Sequence, residues 1–141
     1  MYYYIEKRMD NKMTLVSSTQ VQILDETIDS IFSKMLLPTL CTLKGRIDAT
    51  KKMCKFVSKI PICIDSQTLW MPIYGRRSTH TLYINYFAIR RFEVIDHQWV
   101  TIQFDKETMK KSIPFGIYSR QMQKCQEIEV LLQEKENAYI L

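Results

Sequence analysis

Apolar and polar positions alternate along most of the chain and change to a helical spacing in two stretches. Residues 2–6 and 12–17 read as strands around Asp10-Asn11, a good hairpin tip. An acidic turn at Asp25-Glu26 leads into the apolar segment 28–36, whose spacing fits helix or strand, and Pro38 ends it. Residues 45–57 read as an amphipathic helix. Ile47, Ala49, Met53, Cys54, Phe56 and Val57 fall on one side, with Lys44, Lys51, Lys52 and Lys55 opposite. Alternation then returns through Ile60, Ile62 and Ile64, and through Leu69, Met71 and Ile73, with a turn at Asp65-Ser66-Gln67 between them. Pro61 and Pro72 mark edges or bulges, because proline cannot donate to a ladder. Residues 75–80 form a polar loop, and 82–95 read as one long aromatic-rich strand. A turn at His97-Gln98 precedes a strand at 99–104, and Asp105-Lys106-Glu107 turns the chain into 108–115. A second helix covers about 118–136, with the stripe Tyr118, Met122, Cys125, Ile128 and Leu132 and with Ser119 as its N-cap. The pattern predicts an α+β fold: a mostly antiparallel sheet of hairpins, a central amphipathic helix and a C-terminal helix.

The length, 141 residues, fits a single domain over 1–141 with a core that needs no staples. The net charge of +5 favours an anionic partner. Its location sharpens this, since residues 42–59 hold six lysines and arginines against Asp48 and so carry the whole excess. Cys41, Cys54, Cys63 and Cys125 form no C-x-x-C pair, and with only His80 and His97 to join them the spacings match no zinc site. They read as reduced, structural thiols, with no metal and no cofactor. With three glycines there is no phosphate-cradling loop, and neither histidine stands in a nucleophile-activating arrangement, so an enzyme is not expected. No stretch has the form of a signal peptide or a membrane span, which leaves a cytoplasmic protein as the expectation.

Several segments together resemble the competence transcription factor (ComK) family. These are Pro61-Ile-Cys-Ile-Asp65, Leu69-Trp-Met-Pro72, Leu82-Tyr-Ile-Asn85, Ala88-Ile-Arg-Arg-Phe92, Trp99-Val-Thr-Ile-Gln-Phe104, Ser112-Ile-Pro114 and residues 118–128, with Met53-Cys-Lys-Phe56 upstream. The resemblance covers about residues 44–130. It departs from the family in a short Phe56–Ile60 connection, in Thr81 and Tyr83 where a cysteine and a tryptophan are common, and in the little chain that follows the last helix. The resemblance implies a bacterial activator of competence genes at the nucleoid. It would bind double-stranded AT-rich DNA, mainly in the minor groove, as dimers that associate into tetramers. RNA polymerase and a proteolytic adaptor are its implied further partners, and no membrane is involved.

Reading A·T tracts from the minor groove needs arginine or lysine in a narrow, negative groove, while phosphate contacts need a basic face. Gly75-Arg76-Arg77 could present two arginines at a hairpin tip; the alternative is a solvated turn. Lys44, Lys51, Lys52 and Lys55, with Lys59 beyond them, could contact phosphates; the alternative is an ordinary solvated helix face. Arg90 and Arg91 point to opposite strand faces, so at most one faces DNA. Tyr83, Tyr86, Phe87 and Phe92 around them would suit either a core strand or base stacking. Two rival readings remain open: a single-stranded nucleic-acid binder, and a protein-interaction module that docks through its C-terminal helix without DNA.

Overall fold

The computed structural model describes residues 1–140. Two antiparallel sheets and three helices make up the α+β fold that the periodicity predicts. The larger sheet starts with the hairpin of β1 (Tyr2–Lys7) and β2 (Met13–Ser17). Asn11 takes the left-handed turn position at φ 67°, and Asp10 Oδ1 accepts from the Lys12 amide at 3.1 Å. β3 (Val21–Leu24), which the sequence pattern did not reveal, adds to the outside of β2. After two helices come β4 (Ile62–Asp65), β5 (Thr68–Tyr74) and β6 (Leu82–Asn85). The strand order is β3-β2-β1-β6-β5-β4, so the first and last hairpin groups join where β1 meets β6.

Both faces of this sheet are covered, which is why Trp70 and Met71, neighbours on β5, are equally buried. On one face Ile5, Leu15, Ile62, Ile64, Trp70 and Tyr83 meet the first two helices. On the other, Leu69, Met71, Ile73, Leu82 and Ile84 meet the smaller sheet and the C-terminal helix.

The ambiguous apolar segment is a helix, α1 (Ile28–Leu36). Thr27 Oγ1 caps it by accepting from the Ser30 amide at 3.1 Å. Ile28, Ile31, Phe32 and Leu36 are buried at helical spacing. Pro38 lies in the 3₁₀ turn Leu37–Thr39 that closes the segment.

α2 (Leu43–Cys54) is shorter than the predicted 45–57. Thr42 caps its start, accepting from the Gly45 amide at 3.0 Å, and a Cβ on Gly45 would lie 2.9 Å from that same hydroxyl oxygen. Lys55 stops the helix in the left-handed conformation, at φ 59°. Phe56 and Val57 therefore lie outside it, and the predicted apolar stripe is not a buried one. Leu43 alone is fully buried, while Met53 and Val57 stand in solvent. Helical spacing places side chains on a face but does not say that a neighbour covers the whole of it.

The predicted strand 82–95 is two strands in different sheets. Asn85 ends β6, its Oδ1 accepts from the Phe87 amide at 3.3 Å, and a 3₁₀ turn at Tyr86–Ala88 carries the chain across. The smaller sheet is β7 (Arg91–Ile95), β8 (Trp99–Gln103) and β9 (Thr108–Pro114), in that order. Asp96 and His97, both at positive φ, lie in the three-residue β7–β8 turn 96–98, in which the Gln98 amide donates to the Ile95 carbonyl at 3.2 Å. Val100, Ile102, Met109 and Ile113 turn one face of this sheet into the core.

α3 (Phe115–Ile140) begins directly after Pro114, so Ser119 lies inside the helix and is not its N-cap. The predicted stripe does face the core: Tyr118, Cys125 and Ile128 are buried, and Met122 and Leu132 are half-buried.

Candidate nucleic-acid interface

The basic character of residues 42–59 reaches the surface where α2 ends. Lys51, Lys52 and Lys55 are exposed at its last turn. The connection to β4 then bends again at Lys59, another left-handed residue at φ 48°. Two side chains of α3 hold this connection. Gln121, only 2% exposed, donates from Nε2 to the Lys59 carbonyl at 3.1 Å. Lys124 donates from Nζ to the Ser58 carbonyl at 2.7 Å and lies over the Phe56 ring, 5.4 Å from its centroid.

These ties draw Lys59 toward Arg120 and Lys124. The Lys124 ammonium titrates below the ordinary lysine value, first because it is partly desolvated and then because Lys59 and Arg120 repel its charge. Like charges held close in this way favour a bound anion, which removes the repulsion. Among the described residues Lys51, Lys52, Lys55 and Lys59 form no ion pair. The adjoining groove between the end of α2 and α3 is not purely basic: Glu127 and Glu134 line it together with Met53, Lys55 and Val130.

The other predicted residues lie elsewhere and are differently occupied. Arg76 donates to Asp29 Oδ1 at 3.1 Å, so it ties the β5–β6 loop to α1. Arg77 is exposed beside it, in a groove that also holds Asp25, Glu26 and Asp29. Arg90 precedes β7 and pairs with Asp105, with Nε 3.0 Å from Oδ1. Arg91 opens β7 and is exposed. Lys44 pairs with Asp48 one turn on, at 2.9 Å. The nine predicted residues are thus distributed over both ends of α2, the connection that α3 holds, the β5–β6 loop and the smaller sheet, and three of them hold a carboxylate.

Arg120 and Lys124 are the cationic residues that the sequence reading did not select. Their i, i+4 spacing puts them on one helix face, but their proximity to Lys59 exists only in the folded chain.

The thiols of Cys63 and Cys125 are buried and free, and desolvation raises both above the ordinary cysteine range. Among the described residues no group of three histidines, cysteines or carboxylates could hold a metal ion, and no helix is long and apolar enough to cross a membrane.

The family model described as ComK protein matches residues 3–137, nearly the whole chain. The chain belongs to the ComK family. The match takes in β1–β3 and α1, beyond the segments from which the resemblance was first read. ComK membership suggests a competence transcription factor, and the family is one of transcription factors rather than enzymes. No curated protein and no solved structure matches the chain.

Proposed function

We propose that the chain, acting as one domain over residues 1–141, activates competence genes by binding AT-rich double-stranded promoter DNA as a homo-oligomer. The observation that carries this reading is the crowding of Lys59, Arg120 and Lys124 where α3 straps down the end of α2. Lys51, Lys52 and Lys55 extend the same positive segment along α2. A phosphate backbone supplies the counter-charge this surface lacks, and backbone contacts of this kind position a protein on duplex DNA. Selection for A·T then falls to an arginine entering the narrow minor groove. Arg77 suits that role better than Arg76 and Arg90, whose guanidinium groups already hold Asp29 and Asp105. Lys44, paired with Asp48, contributes less than the other lysines. In this reading the protein works in the cytoplasm at the nucleoid, contacts RNA polymerase as an activator and answers to a proteolytic adaptor.

Fluorescence anisotropy on labelled duplexes tests the proposal. An AT-rich duplex should bind more tightly than a GC-rich one of equal length, and a minor-groove drug should displace the protein. Replacing Lys59, Arg120 and Lys124 by alanine together should weaken binding to both duplexes. Preference for the single strand, or unchanged affinity in the triple variant, would overturn the proposal.

A further inference from the structure

The outer edge of the smaller sheet has neither a proline nor a bulge, and no strand among the described residues pairs with it. β7 lies at the end of the order β7-β8-β9, and all five of its residues are exposed. Three of them are large and apolar: Phe92 at 51%, Val94 at 40% and Ile95 at 41% exposure. Natural proteins shield such edges with proline, bulges, inward charges or a covering element, because the unpaired backbone groups otherwise recruit another strand.

The register with β8 tells which face is which. Phe92 and Val94 stand opposite Ile102 and Val100, both fully buried, so they continue the core face of the sheet beyond its last covered row. The Phe92 ring meets Tyr118 at 5.2 Å, and an open groove lined by Tyr86, Phe87, Ile89, Tyr118 and Met122 begins beside it. Arg91 and Glu93 stand opposite Gln103 and Thr101, on the other face.

We propose that β7 pairs antiparallel with β7 of a second copy of the chain, about a two-fold axis through Phe92. The charges of the strand select this occupant and this register. With Phe92 facing the partner's Phe92, Arg91 stands opposite the partner's Glu93, and Glu93 opposite the partner's Arg91. Two attractive cross-strand pairs and an aromatic pair then form at once, on opposite faces. A shift of the axis by one residue to Glu93 would set two carboxylates face to face, which is destabilising. β3, at an edge of the larger sheet, also exposes Val21 and Ile23, but its four residues Val-Gln-Ile-Leu offer no charge pair to fix a register. The pairing makes one six-stranded sheet from two three-stranded ones and covers Phe92 and Val94. An isologous contact of this type closes on itself as a dimer.

This inference rests on the homo-oligomer reading above and names its interface, yet it is tested without DNA. Sedimentation velocity at about 100 µM suits a strand-edge contact, which belongs among interfaces smaller than about 1,200 Å². The full chain should sediment as a dimer. Arg91→Glu and Glu93→Arg should each weaken self-association about tenfold or more, since both cross-strand pairs become repulsive. The double variant Arg91→Glu/Glu93→Arg should restore the dimer. As β7 is exposed, the far-UV circular dichroism of all three should match the parent. In a second test, Phe92→Cys in a Cys41→Ser/Cys54→Ser background should oxidise to a covalent dimer, because directly opposed strand residues lie within disulfide reach. A monomeric parent, single variants that self-associate like the parent, a double variant that stays dissociated, or no crosslink would each overturn the pairing. A dimeric parent that shows no preference for the AT-rich duplex would count against the DNA reading alone.

Discussion

Replacing Asn85 by leucine tests how the two halves of the fold are joined. Asn85 is fully buried at the end of β6, and its side chain makes four hydrogen bonds. Oδ1 accepts from the amides of Leu69 at 3.0 Å and Phe87 at 3.3 Å. Nδ2 donates to the carbonyls of Tyr2 at 2.8 Å and Gln67 at 3.0 Å. One amide thus links β1, the β4–β5 turn, β5 and the crossing into the smaller sheet. Leucine keeps the branching and the number of heavy atoms but satisfies none of the four backbone groups. At about 1 kcal/mol net per bond the loss is about 4 kcal/mol, and any amide or carbonyl left dry adds more. That is a large part of the roughly 5–15 kcal/mol by which a domain is stable. Urea unfolding followed by tryptophan fluorescence reads it directly: with a slope of about 2 kcal/mol per molar, the midpoint should fall by about 2 M. A fall of less than about 0.5 M at unchanged slope, equivalent to about 1 kcal/mol, would refute the view that this amide joins the segments.

Three further outcomes follow from the side-chain geometry. Arg76→Ala should cost only about 0.2–1 kcal/mol in the same urea assay, the usual range of an exposed ion pair, and Asp29→Asn should cost about as much. A much larger loss would mean that the loop-to-α1 tie supports the core. In native protein a thiol reagent should modify Cys41 and Cys54 well before Cys63 and Cys125, whose thiols are buried and driven up by desolvation; equal rates for all four, followed by absorbance, would contradict the packing. Lowering the pH should weaken the start of α1, where the hydrogen bond from Lys34 and then that from Ser30 hold the Glu26 carboxyl below its ordinary value. A depressed carboxyl contributes stability above its unfolded-state value and loses it as pH falls through the folded one, so Glu26→Gln should flatten part of the acid limb of a pH–stability curve.

The elements that the sequence reveals best are those whose period and surroundings agree. The β4–β5 hairpin has two short apolar runs around a polar turn, and α3 has an apolar stripe that the core in fact covers. Errors arise where a single residue overrides the period. Lys55, a left-handed residue that is not glycine, ends α2 early, and nothing in the Lys-Lys-Met-Cys-Lys string announces it. Asn85 breaks an otherwise continuous aromatic run because its amide bonds better to distant backbone than to a continuing strand. β3 was missed because it has only four residues and its apolar Val21 and Ile23 face solvent, so no buried face marks it. The candidate site was legible as a charge excess over residues 42–59 but not as a surface. Its partners on α3 are about 60 residues away in the chain, and Arg76 looks like a free hairpin arginine until α1 brings Asp29 to it.

The dependence of DNA affinity on salt tests the central claim most directly. Log affinity for an AT-rich duplex should fall linearly with log salt, and the Lys59→Ala/Arg120→Ala/Lys124→Ala variant should lose about 0.9 units of slope per phosphate contact removed, or roughly 3 in all. Arg76→Ala, whose guanidinium already holds Asp29, should leave the slope nearly unchanged. Equal slopes for the parent and the triple variant would contradict the assignment of the α2–α3 junction as the surface that meets DNA.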